Sequence, residues 1–277
     1  YVSEHSGYHH GEASLNGAII GLAQNFVGSN NINIFKPKGQ FGTRLMGGKD
    51  AASERYIFTH LSKITRAIFP EIDDKILKYI QDDGDLVEPI YYTPIIPMIL
   101  INGTKGIGTG FSTDIMSYNP IQIIEYLQNM LKNNKERGII EPYYKNFKGL
   151  IIPCDNHYKK YLIKGNYEIL ASNKIRISEL PIGTWTQDYK EYIESLMNSK
   201  KNYIKDYSDM STESDVEFII EFYPGIISKL LMEKHDHGIE GVEKYLKLYT
   251  TQSTTNMHLF NEKEQLKNNN KKKKNNN

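Results

Sequence analysis

The sequence predicts an α+β fold with two ordered domains. Apolar residues recur with helical spacing near the N-terminus, and short β-branched or aromatic runs follow further along the chain. Three prolines within residues 89–97 would interrupt both a helix and a central strand, which indicates a domain boundary there. We therefore predict a first domain over residues 1–95, a second over 96–267 and a disordered low-complexity tail over 268–277.

The first domain is predicted to begin with an amphipathic helix that ends near Gly28. Its apolar residues lie three and four positions apart. They are Leu15, Ala18, Ile19, Leu22, Ala23, Phe26 and Val27. Residues 32–35 are predicted to form a strand, 36–39 a turn and 41–46 the returning strand. A helix followed by a basic two-stranded wing is typical of a winged-helix domain.

Helices are predicted for much of the remaining first domain. Residues 56–58 are β-branched and aromatic and are predicted to be extended, with Thr59 capping a helix that stops at Pro70. A second helix is predicted over residues 72–80. The acidic run at 82–85 is predicted to be a solvated turn. Two of its carboxylates could instead share a magnesium ion, but no buried strand precedes them to hold such a pair rigid.

The second domain is predicted to contain both strands and helices. Asn119 as the N-cap and Pro120 at the first helical position give the clearest helix start in it. A capping box from Thr184 to Gln187 is predicted to start a helix that runs to Met197. The predicted strands are 98–101, 161–170, 174–180 and 216–222, and a glycine-rich loop covers 103–110.

Charge is distributed unevenly along the chain. The 34 basic and 33 acidic residues give a net charge of +1, yet residues 36–66 carry +5 and residues 71–88 carry −5. A basic segment with interleaved glycines favours a polyanionic ligand. The single cysteine, Cys154, excludes a disulfide framework and a cysteine-based zinc site. No apolar run is long enough to cross a membrane, so no membrane partner is predicted.

One run of the first domain combines the features of a phosphate-handling nucleophile. Residues 39–56 contain four glycines, the cations Arg44, Lys49 and Arg55, and Tyr56. A flexible backbone would therefore place positive charge beside a phenol. The chain has 20 tyrosines, however, and a tyrosine beside an arginine is most often a packing residue. The run alone does not decide the chemistry.

Two other functions fit part of the sequence. Residues 99–108 look like a strand entering a dinucleotide-binding loop, and Tyr144 and Lys148 would suit a nicotinamide-dependent oxidoreductase. That loop requires a helix directly after its glycines, whereas residues 111–119 are polar and followed by a proline. A catalytically inactive winged-helix DNA-binding or architectural module explains the basic wing, but it gives no role to the glycine-rich loop at 103–110.

Several longer blocks point to one family. They resemble the breakage-reunion region of eukaryotic type IIA DNA topoisomerases, occur in that family's order and extend from about residue 8 to about residue 260. The blocks are YHHGE at 8–12, GLAQNFVGSNN at 21–31, GQFGTRLMGGKDAASERYIFT at 39–59, PMILINGTKGIGTG at 97–110, ELPIGTWTQDYK at 179–190 and IKDY at 204–207. The resemblance implies a winged-helix domain followed by a mixed α/β tower domain.

The resemblance implies that Tyr56 is the nucleophile. It would attack a DNA phosphodiester, giving a 5′-phosphotyrosyl link and a free 3′ hydroxyl before strand passage and religation. A free tyrosine has a pKa of about 10, so the attack needs a proton acceptor and charge stabilisation. Arg55 would stabilise charge on the phosphate oxygens. His10 would hydrogen-bond the scissile phosphate or assist proton movement.

The resemblance also implies a surface for double-stranded DNA. Arg44 and Lys49 would bind flanking phosphates, and Ile107 would wedge between base pairs and bend the duplex. The remaining predicted DNA-binding residues are Lys36, Lys38, Gln40 and Lys105. The loop departs from the family because Thr104 and Lys105 replace a common Ala-Glu pair, and Phe111 replaces a common tryptophan. Gly183 likewise replaces a larger residue.

Cofactors and assembly are implied by the same resemblance. The catalytic Mg²⁺ would be held by acidic residues of a separate upstream domain, and ATP by a module still further upstream, so no metal ligand is predicted in this chain. The full-length enzyme would be a nuclear homodimer. The chain starts at Tyr1 rather than at methionine and enters a helical pattern almost at once, so we expect an excised fragment. Because the magnesium and ATP domains would lie outside it, we expect this fragment to bind and bend DNA but not to cleave or relax it alone.

Overall fold

The computed structural model describes residues 1–133, 138–154, 158–260 and 266–268. It confirms the α+β class. The helices are α1 (Val2–Ser6), α2 (Glu12–Ala23), α3 (Thr65–Ile68), α4 (Met98–Ile101), α5 (Pro120–Leu131), α6 (Thr186–Met197), α7 (Ile226–Met232) and α8 (Gly241–Tyr245). Short 3-10 helices cover Glu54–Tyr56, Glu71–Lys75 and Asp236–Gly238.

The strands form small antiparallel sheets. They are β1 (Phe35–Lys38), β2 (Phe58–Leu61), β3 (Tyr79–Asp82), β4 (Asp85–Pro89), β5 (Thr104–Gly108), β6 (Phe111–Ile115), β7 (Leu150–Pro153), β8 (Lys160–Lys164), β9 (Asn166–Ala171), β10 (Lys174–Glu179), β11 (Ile204–Asp209), β12 (Phe218–Phe222), β13 (Tyr249–Ser253), β14 (His258–Phe260) and β15 (Leu266–Asn268). The two larger sheets have the strand orders β11-β12-β10-β9 and β13-β8-β7. Two-stranded sheets pair β1 with β2, β3 with β4, β5 with β6, and β14 with β15.

The predicted N-terminal helix is present as α2, but it ends at Ala23 rather than near Gly28. Gln24 leaves the helical conformation, with φ −59° and ψ 137°. The Asn30 side chain then donates hydrogen bonds to the carbonyl oxygens of Gly21 and Gln24, at 2.7 and 2.9 Å. These bonds satisfy acceptors at the helix end, so the chain turns back on the helix instead of extending it.

The predicted wing strand at residues 41–46 is wrong. The partner of β1 is β2, which follows some twenty residues later and pairs Lys38 with Phe58 and Phe35 with Leu61. Residues 41–46 instead belong to a turn-rich loop, because Asp50 accepts hydrogen bonds from the backbone N–H and hydroxyl of Thr43. The predicted turn at 36–39 is also wrong, since most of it lies in β1.

The predicted helices at 59–70 and 72–80 are mostly replaced by other structure. Thr59 lies in β2, and only α3 remains of the first helix. The second gives way to a short 3-10 helix and β3, because Ile72 and Ile76 on its apolar stripe stay 74% and 80% exposed. A short helix needs packing of its apolar face to form. The predicted turn at 82–85 is confirmed, with Asp83 and Gly84 at positive φ between β3 and β4.

The predicted strand at 98–101 is a short helix, α4. Four consecutive apolar residues fit either a buried strand or a buried helix turn. Ile101 is fully buried in a core that also contains Met116, Ile123 and Ile163. The glycine-rich segment that follows is not a loop but the hairpin of β5 and β6.

The four-stranded sheet encloses the larger core. Alternate residues of β10 and β12, such as Ile175, Ile177, Phe218 and Ile220, are fully buried against α6, α7 and α8. The predicted strand at 216–222 is thus confirmed as β12. The predicted strand at 161–170 divides into β8 and β9, which join different sheets.

Helix α5 begins as predicted, because the Asn119 side chain accepts a hydrogen bond from the Ile121 N–H. Helix α6 also ends at Met197 as predicted. Its predicted capping box is wrong, since the N-cap is Trp185 and no side chain caps the helix. Residues 269–277 of the predicted tail lie outside the described part of the chain, and Asn268 ends β15.

No helix within the described ranges is long and apolar enough to span a membrane. The boundary near residue 95 stays a prediction. Asn31 nevertheless links the two predicted domains, because its side-chain NH2 donates to the carbonyl oxygens of Ile101, Tyr118 and Tyr143 at 2.8 to 3.2 Å. Asn31 is buried, so these bonds fix the first segment against the core that holds the β5–β6 hairpin.

Candidate nucleic-acid interface

Tyr56 is the last residue of the 3-10 helix that precedes β2. Its backbone N–H donates to the Ser53 carbonyl at 2.9 Å, and its side chain is 69% exposed. The Arg55 guanidinium carbon lies 5.1 Å from the centre of the Tyr56 ring. This is a cation–π distance, so the structure places a permanent positive charge against an accessible phenol.

The loop between β1 and Tyr56 is held in one shape by internal hydrogen bonds. The Gln24 side-chain NH2 donates to the carbonyl oxygens of Phe41 and Gly48, at 3.0 and 3.3 Å. Asp50 holds Thr43 at 2.9 and 2.5 Å. The loop is therefore a rigid support for the tyrosine. Sequence reasoning missed Gln24 and Asp50, since neither residue type nor spacing signals such a supporting role.

Gly42 is required by the close approach of two loop segments. It has φ +95°, and a Cβ there would lie 2.5 Å from the Gly48 Cα. Backbone atoms cannot move aside as a side-chain end could, so we expect Gly42→Ala to lower the free energy of unfolding by about 2 kcal/mol or more. Gly110→Ala is the matched control, because Gly110 also has positive φ but an added Cβ there would meet no atom of the described residues within 4 Å, apart from its chain neighbours. Thermal melting should show the smaller loss for Gly110→Ala, and equal losses would contradict the clash.

Arg44 does not lie where its predicted phosphate contact requires. It is 5% exposed, and its guanidinium forms a two-pronged ion pair with Glu179 at the end of β10. The Glu179 carboxylate is fully buried and also accepts backbone N–H bonds from Leu180 at 2.8 Å and Lys148 at 3.2 Å. Buried charges are normally paired in this way. Arg44 thus fastens the loop to the sheet and is not available to a duplex.

Cations do remain exposed around the loop. Lys36 and Lys38 are two positions apart on β1, so both point to one face, and Lys49 lies in the loop. None of the three has a carboxylate within 4.0 Å in the described structure. Gln40 is half-buried, and its side-chain oxygen accepts the Gly42 N–H at 3.1 Å.

His10 is exposed just before α2, and its ring stands edge-on to Tyr8 at 5.4 Å. No hydrogen bond or ring contact among the described residues joins His10 to Tyr56 or Arg55. The structure therefore places Arg55, but not His10, against Tyr56. The His10 contact stays a prediction that depends on the bound duplex.

Ile107 lies in β5 opposite Ser112 and is 89% exposed. Lys105, on the same strand and the same face, is also exposed. A branched apolar side chain that is this exposed gains little stability from burial. Its position beside a lysine on a two-stranded hairpin suits insertion between base pairs with backbone contact alongside.

The oxidoreductase alternative does not fit the geometry. The glycine-rich segment forms β5 and β6 rather than the start of a helix. Tyr144 is buried, and this burial raises the pKa of its hydroxyl far above the ordinary value. The Lys148 ammonium is in an ion pair with Asp215 at 2.7 Å. The two residues therefore cannot act as a catalytic pair.

The surroundings of Tyr56 do not resemble a metal site. Within residues 1–133, 138–154, 158–260 and 266–268, no group of three His, Cys, Asp or Glu side chains is placed to hold a metal ion. The charged group that contacts the Tyr56 ring is the Arg55 guanidinium, which suits phosphate oxygens rather than a divalent cation.

Comparison with known proteins gives consistent matches. The family described as the A-subunit of DNA gyrase/topoisomerase IV matches residues 1–273. DNA topoisomerase 2 of Drosophila melanogaster is 47% identical over 270 residues, which are 96% of this chain and 18% of that protein. DNA topoisomerase 2 of Pisum sativum is 47% identical over 266 residues, covering 94% and 17%. The chain thus spans less than a fifth of the length of these relatives.

A solved structure matches as well. It is the DNA-binding, cleavage and re-ligation domain of topoisomerase II from Plasmodium falciparum, with a TM-score of 0.89 and 46% identity. The match covers 96% of this chain and 35% of that one.

Proposed function

This chain belongs to the DNA gyrase/topoisomerase IV A-subunit family, and from that premise we propose that it forms the DNA-binding and cleaving part of a type II DNA topoisomerase. The observation that supports this most directly is Tyr56, an accessible phenol held on a rigid loop with the Arg55 guanidinium 5.1 Å from its ring. Covalent capture of DNA by Tyr56, compared with Tyr56→Phe, tests the proposal.

The proposed reaction is a transesterification. The Tyr56 hydroxyl oxygen bonds to phosphorus, and the bond from phosphorus to the 3′ oxygen breaks. The phenol loses its proton to a base, and the leaving 3′ oxygen gains one. The DNA 5′ phosphate stays on the tyrosine, and the reverse steps reseal the strand. Arg55 would stabilise the charge on the non-bridging oxygens, since its planar fork suits phosphate geometry.

Magnesium, ATP and a second protomer complete the proposal. Mg²⁺ would neutralise phosphate charge, although no group of three His, Cys, Asp or Glu side chains among the described residues is placed to hold it. Its ligands and the ATP site would lie on other parts of the full-length protein. We propose a homodimer that acts in the nucleus, with one strand cut by each protomer.

DNA bending provides a test that needs no metal. We expect Ile107→Ala to reduce the bend that the 277-residue chain imposes on a duplex, because the wedge between base pairs is lost. Fluorescence energy transfer between dyes at the two duplex ends should fall towards the free-DNA value, while affinity changes by less than about tenfold. Ile121→Ala is the control, since Ile121 is also exposed but lies on α5. A bend that survives Ile107→Ala would exclude the wedge.

A further inference from the structure

A second basic surface is formed by residues outside the Tyr56 loop, the β1–β2 pair and the β5–β6 hairpin. It consists of five exposed lysines, Lys200, Lys201, Lys229, Lys244 and Lys247, two of which lie against tyrosine rings and three of which are close in sequence to Tyr203 or Tyr245. We call this group the lysine–tyrosine face. Its lysines come from the segment after α6, from α7, and from α8 with the residues that follow it.

The face is contiguous. The Lys229 ammonium lies 5.6 Å from the Tyr203 ring centre, and the Tyr203 and Tyr245 rings are 5.1 Å apart. The Tyr192 hydroxyl donates to the Tyr245 carbonyl at 2.7 Å, and the Lys247 ammonium lies 4.1 Å from the Tyr192 ring centre. One continuous series of contacts therefore joins Lys229 to Lys247 through three tyrosines.

The charge of this face is not neutralised. None of the five lysines has a carboxylate within 4.0 Å among the described residues. Neighbouring lysines of the same region differ, since Lys174 and Lys205 both pair with Glu221, at 3.3 and 2.7 Å. Two acids of α8 and its N-cap pair with lysines outside the face: Glu243 with Lys164, and Glu240 with Lys234.

The tyrosine rings contact Lys229 and Lys247 without neutralising their charge. Burial, together with the neighbouring Tyr245, raises the pKa of Tyr192 to about 12, and burial also raises the pKa of Tyr245. Both phenols therefore remain protonated and neutral near pH 7. A neutral ring face attracts an ammonium group and restricts its motion, so part of the ordering needed for binding is already present.

We propose that the lysine–tyrosine face binds the phosphate backbone of double-stranded DNA without reading its sequence, in addition to the surface around Tyr56. The proposal rests on the proposed function only for the identity of the polyanion as DNA. Lysines on flexible stems contact phosphates as point charges and carry no base information. Two ring faces are already covered by Lys229 and Lys247, which leaves less room for the base stacking that single strands use.

The test is the salt dependence of duplex binding by the 277-residue chain. The variant carries Lys201→Gln, Lys229→Gln and Lys247→Gln. Each lost phosphate contact should reduce the slope of log K against log salt by about 0.9, so the slope should fall by roughly 2 to 3. The control carries Lys148→Gln, Lys174→Gln and Lys205→Gln, which removes the same charge from ion-paired lysines. Its slope should stay at the wild-type value.

Several outcomes would overturn the proposal. An unchanged slope in the first variant would do so, and so would equal falls in both variants, which would indicate net charge alone. If the first variant loses affinity for polyglutamate but not for duplex DNA, the face instead binds acidic polypeptides. A second measurement needs no mutation: bound duplex should protect Lys229 and Lys247, but not Lys174, from acetylation detected by mass spectrometry.

The two proposals fail separately. Suppose that bound duplex protects Lys229 and Lys247 and that the Tyr56→Phe variant still captures DNA covalently. DNA binding by the lysine–tyrosine face would then be supported, and Tyr56 would be excluded as the nucleophile. If covalent capture depends on Tyr56 but the lysines are not protected and the salt slope is unchanged, Tyr56 is supported as the nucleophile. DNA binding by the lysine–tyrosine face is then excluded.

Discussion

Tyr56→Phe is expected to abolish the covalent link between protein and DNA while leaving duplex binding within about twofold of wild type. Phenylalanine keeps the ring and its 5.1 Å contact with Arg55 but removes the attacking oxygen. The loop bonds from Gln24 and Asp50 do not involve the Tyr56 side chain, so the support should remain folded. The variant therefore separates chemistry from binding.

We propose to make the measurement in a full-length relative. A chimera in which this chain replaces the matched segment of the Drosophila topoisomerase 2 would be mixed with supercoiled DNA and Mg²⁺, and 5′ protein-linked ends would be counted after denaturation. Tyr8→Phe is the matched control, because Tyr8 lies beside His10 and is not proposed as the nucleophile. Protein-linked DNA ends in the Tyr56→Phe chimera would show that Tyr56 is not the nucleophile. An equal loss of linked ends in the Tyr8→Phe chimera would indicate that the substitutions disturb folding rather than the chemistry.

Arg44→Leu is expected to cause a large loss of stability. It would leave the Glu179 carboxylate, which is fully buried, with backbone donors but no counter-charge. Removing one partner of a buried ion pair costs about 3–5 kcal/mol. Urea or thermal denaturation followed by circular dichroism would measure this loss.

Two further variants make the result specific. Arg66→Leu removes an ion pair with Asp74 that is partly exposed, so it should cost about 1 kcal/mol or less. The double variant Arg44→Leu with Glu179→Leu should recover part of the lost stability, because no uncompensated charge stays buried. If Arg44→Leu is as mild as Arg66→Leu and instead weakens DNA binding, Arg44 contacts phosphate after all.

The elements that the sequence predicted correctly carry their own signals. Helix α5 begins at Asn119 and Pro120, which supply the cap and the first-turn geometry without help from distant residues. Strand β12 has alternate buried residues, and the turn at Asp83 and Gly84 needs only the left-handed conformations those residues tolerate. Local chemistry was sufficient in each case.

The failed predictions depend on distant partners. Residues 41–46 have a strand-like composition, but Asp50 and Gln24 supply hydrogen bonds that a strand neighbour would otherwise provide. The stripe of Ile72 and Ile76 has helical spacing, but both side chains stay exposed. The spacing of apolar residues shows which face could be buried, and it does not show whether a partner surface exists.

The α+β class, the topoisomerase family and the candidate nucleophile could all be predicted from the sequence, because they rest on residue types and their order along the chain. Which cations are exposed depends instead on the folded structure. Arg44 and Lys49 look equivalent in the sequence, yet Glu179, 135 residues from Arg44, buries one of them while the other stays in solvent. The lysine–tyrosine face likewise exists only after folding, since it joins three separate segments. Charge is encoded locally, but its exposure and pairing depend on what the rest of the chain places beside it.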